Sequence, residues 1–221
     1  AAETVGFLDA GGSWMVACEN DTSITFSIQD ANKMKLDANS RISLSNNDSG
    51  TSNTIFGKSA GASLDAGSNY NVFIGEAVSD ATMNDATNNV GVGYQSLSAL
   101  TTGDKNIAIG KDALLSCDAG SENTVIGNIA GDALVGGEGN VIVGNSAFGN
   151  STSGISNVCI GTDAGGGAGD VDNTVIIGKS AAAGALTDAA DGTVAIGKSA
   201  LNDLTSGIGN VAVGYQSMDA N

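Results

Sequence analysis

The chain has no proline and no histidine, and only 4% of its residues are aromatic. Basic residues number 8 against 24 acidic ones, a net charge of -16 at neutral pH. Each shortage removes a class of function. Without histidine there is no Ser-His-Asp triad, no Cys-His pair, no His-ligated zinc and no imidazole acid or base. The acidic balance argues against nucleic acid, whose phosphates would be repelled, and against anionic membrane surfaces. No apolar run approaches the ~20 residues that span a bilayer, so membrane insertion is not expected. No signal peptide is visible, and a first residue of Ala1 is read as the result of removal upstream. The three cysteines, Cys18, Cys117 and Cys159, show no C-x-x-C spacing. Neither a closed disulfide framework nor a Cys-only zinc site is expected from them.

Glycine is abundant instead, with 33 of 221 residues, and 41% of the chain is hydrophobic, enough to bury a core. Much of that glycine belongs to a repeat. From Asn53 onward the unit N-V-x-I-G-x-x-A recurs ten times, from NTIFGKSA through NIAIGKDA, NVIVGNSA and TVIIGKSA to NVAVGYQS. Its glycines are Gly57, Gly75, Gly93, Gly110, Gly127, Gly144, Gly161, Gly178, Gly197 and Gly214, spaced by 17 to 19 residues. So even a period marks a solenoid-type repeat.

Each column of the repeat has a physical reading. The residues three and one before the glycine, such as Val141 and Val143, are β-branched in nearly every copy and share one face of a strand. The column between them holds Ile55, Phe73, Gly91, Ala108, Val125, Ile142, Cys159, Ile176, Ala195 and Ala212. All are apolar or glycine, so the strand is expected to be buried on both faces, as parallel strands are. A single coil looks too thin to cover both. The middle column is therefore expected to be an inter-chain face, through Ala108, Val125, Ile142, Cys159, Ile176, Ala195 and Ala212, against a symmetry-related copy. Cys159 reads as a small hydrophobe there.

Four before the glycine stand Asn53, Asn71, Asn89, Asn106, Asn123, Asn140, Asn157 and Asn210, with Thr174 and Thr193 in the other two copies. Two readings are open: a ladder of side-chain hydrogen bonds along the stack, or a turn residue at strand entry. The glycine is expected to turn a corner at positive φ. A small residue three later, as at Ala113, Ala130 and Ala147, permits close packing. The remaining polar residues of each unit read as a second short strand and an outward loop.

The fold class that follows is all-β: a parallel β-solenoid of about ten 17-residue rungs over residues 51–221, roughly 45 Å long at ~4.8 Å per rung. Helices are excluded because the apolar spacing is 2 rather than 3.6. Residues 1–50 alternate in short bursts, Ile24–Ile28, Met34–Leu36 and Ile42–Leu44, and read as a small antiparallel β segment acting as connector or cap. The tenth unit, with seven residues after Gly214, is read as incomplete: the chain continues beyond it, or its open end stacks on another molecule.

The units NVAVGYQSM, NIAIGKDAL and TVAIGKSAL resemble the head repeats of trimeric autotransporter adhesins and equally repeats of bacteriophage tail fibres. The resemblance covers residues 53–221, while SITFSIQDANKMKLDANSRISL is similar to the β-rich connectors of phage fibres. It implies a left-handed β-roll assembled as a homotrimer about a long axis. The period is longer than in adhesin heads, and neither stalk heptads nor membrane-anchor strands are present, which favours the phage fibre.

Several motifs compete with this reading. Gly192 to Ser199 fits the phosphate-loop pattern G-x-x-x-x-G-K-S, but the strand lies between its glycines and Lys58 and Lys179 fill the same slot without the first glycine. Gly165 to Asp172 approximates a calcium-binding Gly/Asp repeat, out of register by one residue and present once. Asn46 to Gly50 reads as a turn. Asp170 with Asp172, or Asp188 with Asp191, are candidate glycosidase pairs better explained as solvated loop charge. Tyr70, Tyr94 and Tyr215 are candidate sugar platforms, read first as surface rung positions. Asn20, Asn47 and Asn150 begin N-x-S/T strings.

The expectation is therefore a non-enzymatic, trimeric virion fibre with no catalytic or cofactor-binding residue and no resident metal, loop-bound calcium being the one cofactor considered. Its partners would be itself, other virion or fibre proteins, and a host cell-surface glycan or protein. Contact would run through loops 80–88, 101–105, 115–122, 132–139, 149–155 and 183–191, adding weak contacts into avidity. Alternatives are a bacterial surface adhesin head, an extracellular self-stacking filament subunit and a glycan hydrolase. Divalent cations are expected to stabilise the assembly by relieving acidic repulsion.

Overall fold

The computed structural model describes residues 52–219 and, before them, the backbone of five strands. The chain divides into two compact units, Ala1–Asn47 and Asp48–Asn221. In the first, β1 (Val5–Leu8), β2 (Trp14–Glu19), β3 (Ser23–Ile28), β4 (Ala31–Asp37) and β5 (Ile42–Leu44) form an antiparallel meander in chain order. Three of the five coincide with the alternating bursts of the sequence.

The second unit is a parallel β-solenoid. Its ten strands are β6 (Thr54–Phe56), β7 (Val72–Ile74), β8 (Val90–Val92), β9 (Ile107–Ile109), β10 (Thr124–Ile126), β11 (Val141–Val143), β12 (Val158–Ile160), β13 (Val175–Ile177), β14 (Val194–Ile196) and β15 (Val211–Val213). They form one sheet in sequence order, so each strand and its return make one rung. Equivalent columns face one another throughout: Val125 lies beside Ala108 and Ile142, and Ile176 beside Cys159 and Ala195.

Glycine is required at the corner for two reasons. All ten repeat glycines have φ between +129° and +150°, a region closed to L side chains. A Cβ on Gly127 would also stand 2.2 Å from the carbonyl oxygen of Gly144 on the next rung.

The return side is not a second strand. Residues two and four past the glycine are left-handed in every described rung, as at Asp112 (φ 57°) and Leu114 (φ 49°). Two such residues within five bend the backbone too sharply for an extended strand. The segment is instead a stack of turns bonded in both directions: Asp112 N–H donates to Tyr94 O at 2.9 Å, and Leu114 N–H to Ala130 O at 3.1 Å.

The core corrects the assignment of faces. Ala108, Val125, Ile142, Cys159, Ile176, Ala195 and Ala212 are buried by their own chain, so they are not an inter-chain face. The middle column meets the return side of its own coil. The residue six positions later points into the same space, and the two are matched in size. Gly91, Ala108 and Ala195 stand with Leu97, Leu114 and Leu201. Where the middle residue is large, at Val125 and Ile176, the residue six on is Gly131 or Ala182. Rung six breaks the alternation with Ile142 and Phe148, and there the third inward position is Ser151 rather than leucine. That third column, Leu64, Met83, Leu100, Cys117, Leu134 and Leu186, pins down the segments expected to be outward loops. One coil is thick enough because three walls, not two, fill it.

Candidate functional site: the outward strand face

With the middle column inside, the β-branched columns point outward. None of their members is buried: Ile109 is 38% exposed, Ile126 39% and Val213 66%. They repeat rung after rung as an apolar stripe. Along one edge runs the residue after each glycine, including Lys58, Tyr94, Lys111, Lys179, Lys198 and Tyr215. There Lys111 Nζ lies 5.8 Å from the Tyr94 ring centre and Lys198 Nζ 5.5 Å from that of Tyr215. Lys58 pairs with Glu76 in the same column at 3.1 Å. These partners explain the tyrosines without a sugar, although all three tyrosines, Tyr70 included, remain exposed.

Along the other edge the repeat asparagines form a buried ladder. Asn123 Oδ1 accepts from Asn140 N–H at 3.1 Å and from Asn140 Nδ2 at 2.9 Å. Asn123 Nδ2 donates to Asn106 Oδ1 at 3.1 Å and to Gly137 O at 2.8 Å. The pattern runs from Asn53 through Asn71, Asn89, Asn106, Asn123, Asn140 and Asn157 to the hydroxyl of Thr174. Asn210 stands outside it. Its Nδ2 turns back to Gly207 O, and the intervening Thr193 hydroxyl is buried without a partner. Threonine is one atom too short to carry the ladder onward.

The candidate carboxylates hold backbone. Asp170 accepts from the N–H groups of Thr152 and Ser153 on the preceding rung at 2.7 and 2.8 Å. Partial burial acts to raise its pKa, but those bonds and the Thr152 and Ser153 hydroxyls outweigh it and keep the carboxyl below its usual range. Asp172 accepts from Ile155 N–H and Asp191 from Asp172 N–H, while Asp188 is exposed in a short 3-10 turn (Asp188–Ala190). Asp132 borders a groove of about 470 Å³ left by the small residues Gly149, Gly166 and Ala183. Burial pushes its carboxyl up. Burial also pushes the Cys117 thiol up to about 12 and that of Cys159 higher, so neither is a nucleophile in the folded chain.

Among the described residues no three His, Cys, Asp or Glu side chains are grouped to hold a metal, the Gly165–Asp172 stretch included. In the phosphate-loop look-alike, β14 does lie between Gly192 and Gly197. Asn150 is exposed, whereas Asn20 and Asn47 lie outside the described residues. No described helix is long and apolar enough to cross a membrane. No protein-family model, curated protein or solved structure matches the chain.

The inward orientation of the middle column had one readable signal, the inverse size relation between residues six apart. The alternation of apolar residues along the strand does not carry it.

Proposed function

We propose that the chain is a homotrimeric fibre protein of a phage virion, serving as a shaft and as a multivalent host contact, without catalytic activity. The observation that supports this is the outward stripe. Twenty positions in register, all apolar but Thr54 and Thr124 and none of them buried, make one continuous face along the solenoid. A soluble monomer rarely exposes so long a patch. In this reading three copies bury the Val and Ile columns against one another around a common axis. The rung loops then face outward in three identical sets, and weak contacts to a cell-surface glycan or protein add as avidity. A bacterial adhesin head has the same architecture and differs in what it is attached to.

Sedimentation equilibrium tests the reading. A particle of three times the 21.6 kDa chain mass is expected. A stable monomer at micromolar concentration would overturn it, and rods that lengthen with concentration would favour a self-stacking filament. Electron micrographs of the native assembly distinguish virion from cell surface.

A further inference from the structure

In three rungs the two edges of the apolar stripe carry opposite charge. At the end of β13 stands Lys179, and seven residues earlier, at the other edge of the same rung, Asp172; β14 has Lys198 and Asp191 in the same places. The β9 rung repeats this with Lys111 and Asp104. In the β15 rung both ends are apolar and exposed, Ile208 at 81% and Tyr215 at 66%. From β7 to β15 no rung carries like charges at its two ends.

We infer that a second copy of this chain docks on the stripe in parallel and in register, with Lys179 and Lys198 of one copy bonded to Asp172 and Asp191 of the next. The inference rests on the assembly reading above and specifies how the copies are ordered. When copies stand side by side about an axis parallel to the solenoid, the lysine edge of each meets the acid edge of its neighbour. Turning one copy end over end brings lysine edge to lysine edge, and shifting it by one rung leaves only one of these two lysines opposite an aspartate. The charges therefore select the parallel, unshifted arrangement.

Lys179, Asp172 and Asp191 have no ion-pair or ring partner among the described residues, while Lys198 Nζ, over the Tyr215 ring at 5.5 Å, must leave or share that contact. Lys179 and Lys198 are exposed and have no carboxylate within ion-pair distance among the described residues. Asp172 and Asp191 use only Oδ1 within the chain, each accepting one backbone N–H, which leaves Oδ2 for an outside donor. Lys111 is already held by Asp112, so the β9 rung contributes less. Among the described residues neither lysine is paired with the aspartate of its own rung, which lies across the three-residue strand from it. Other charges near these edges are Glu76, paired with Lys58, Lys105, paired with Glu122 at 2.8 Å, and the exposed Glu138 on the acid edge of the β11 rung.

The test is sedimentation equilibrium of four full-length chains: the unaltered one, Lys179→Glu/Lys198→Glu, that variant with Asp172→Asn/Asp191→Asn added, and that variant with Asp118→Asn/Asp203→Asn added instead. Asparagine keeps the Oδ1 acceptor for the backbone while removing the charge. The first variant is expected to associate at least tenfold more weakly at low salt, with most of the loss vanishing near 1 M salt, where the screening length is ~3 Å. The edge asparagines should restore association, and the matched pair at the exposed Asp118 and Asp203 should not. Unchanged association of the first variant, or equal rescue by both asparagine pairs, overturns the pairing while leaving the assembly intact. A monomeric unaltered chain overturns the assembly reading itself.

Discussion

The inward and outward faces of the same strands are both apolar, yet they are built differently. The inward column mixes Gly91, Ala108, Val125, Phe73 and Ile142, and all but Ile142 are matched across the coil by a residue of compensating size six positions on. The outward columns are nearly uniform Val and Ile, and none of their members is buried by the described residues. A closed core must fill a given volume at every level, so its residues vary with their partners. The outward columns fill no closed volume within the coil, so no such constraint makes their residues vary from rung to rung.

The largest effect should come from setting a charge on each face in turn. Ala108→Lys buries an unpaired ammonium in the coil and should cost several kcal/mol, abolishing the cooperative melt followed by circular dichroism. Ile109→Lys, one residue along, should leave that melt nearly intact in dilute protein while lowering the sedimenting mass. Equal damage from both substitutions would erase the distinction between the faces.

Next in size is Gly127→Ala. Its Cβ would collide with the Gly144 carbonyl at a forbidden φ, for a loss of about 3 kcal/mol in denaturant unfolding. Leu114→Ala should cost 2–5 kcal/mol. Adding Ala108→Val should recover about 1 kcal/mol if the two share one space. An additive double mutant would deny the size matching. The smallest effects are electrostatic. The depressed Asp170 carboxyl stabilises the fold above the unfolded pKa of about 3.9, and that contribution is lost as pH falls through its folded value. Asp170→Ala should therefore melt lower than the parent at pH 7 and converge with it below about pH 4. Asp132 has the opposite sign. Its raised carboxyl costs stability once ionised, so Asp132→Asn should melt slightly higher at neutral pH and lose that advantage in acid.

Much of the solenoid was legible because each rung states the same local rules. Gly127 at its corner and Val141 on its strand mean the same as their nine counterparts, and the period alone aligns them in parallel. The antiparallel character of the first unit followed from the alternation in Ile24–Ile28. The return side was not legible, because left-handed φ at Leu114 or Ile129 leaves no trace in residue type when neither is glycine. The bonds of Asp170, Asp172 and Asp191 were hidden too, since their partners are backbone groups 17 to 19 residues away.

Period, register and the need for glycine at each corner lie in the order of amino acids, since they depend only on neighbours along the chain and on one repeat length. Which of two apolar faces turned inward was decided by closure of the coil. Alternation separates the faces but assigns neither, and only the segment folding back across the strand, with side chains sized to fill the remaining space, chose the middle column as core and left valine and isoleucine outside.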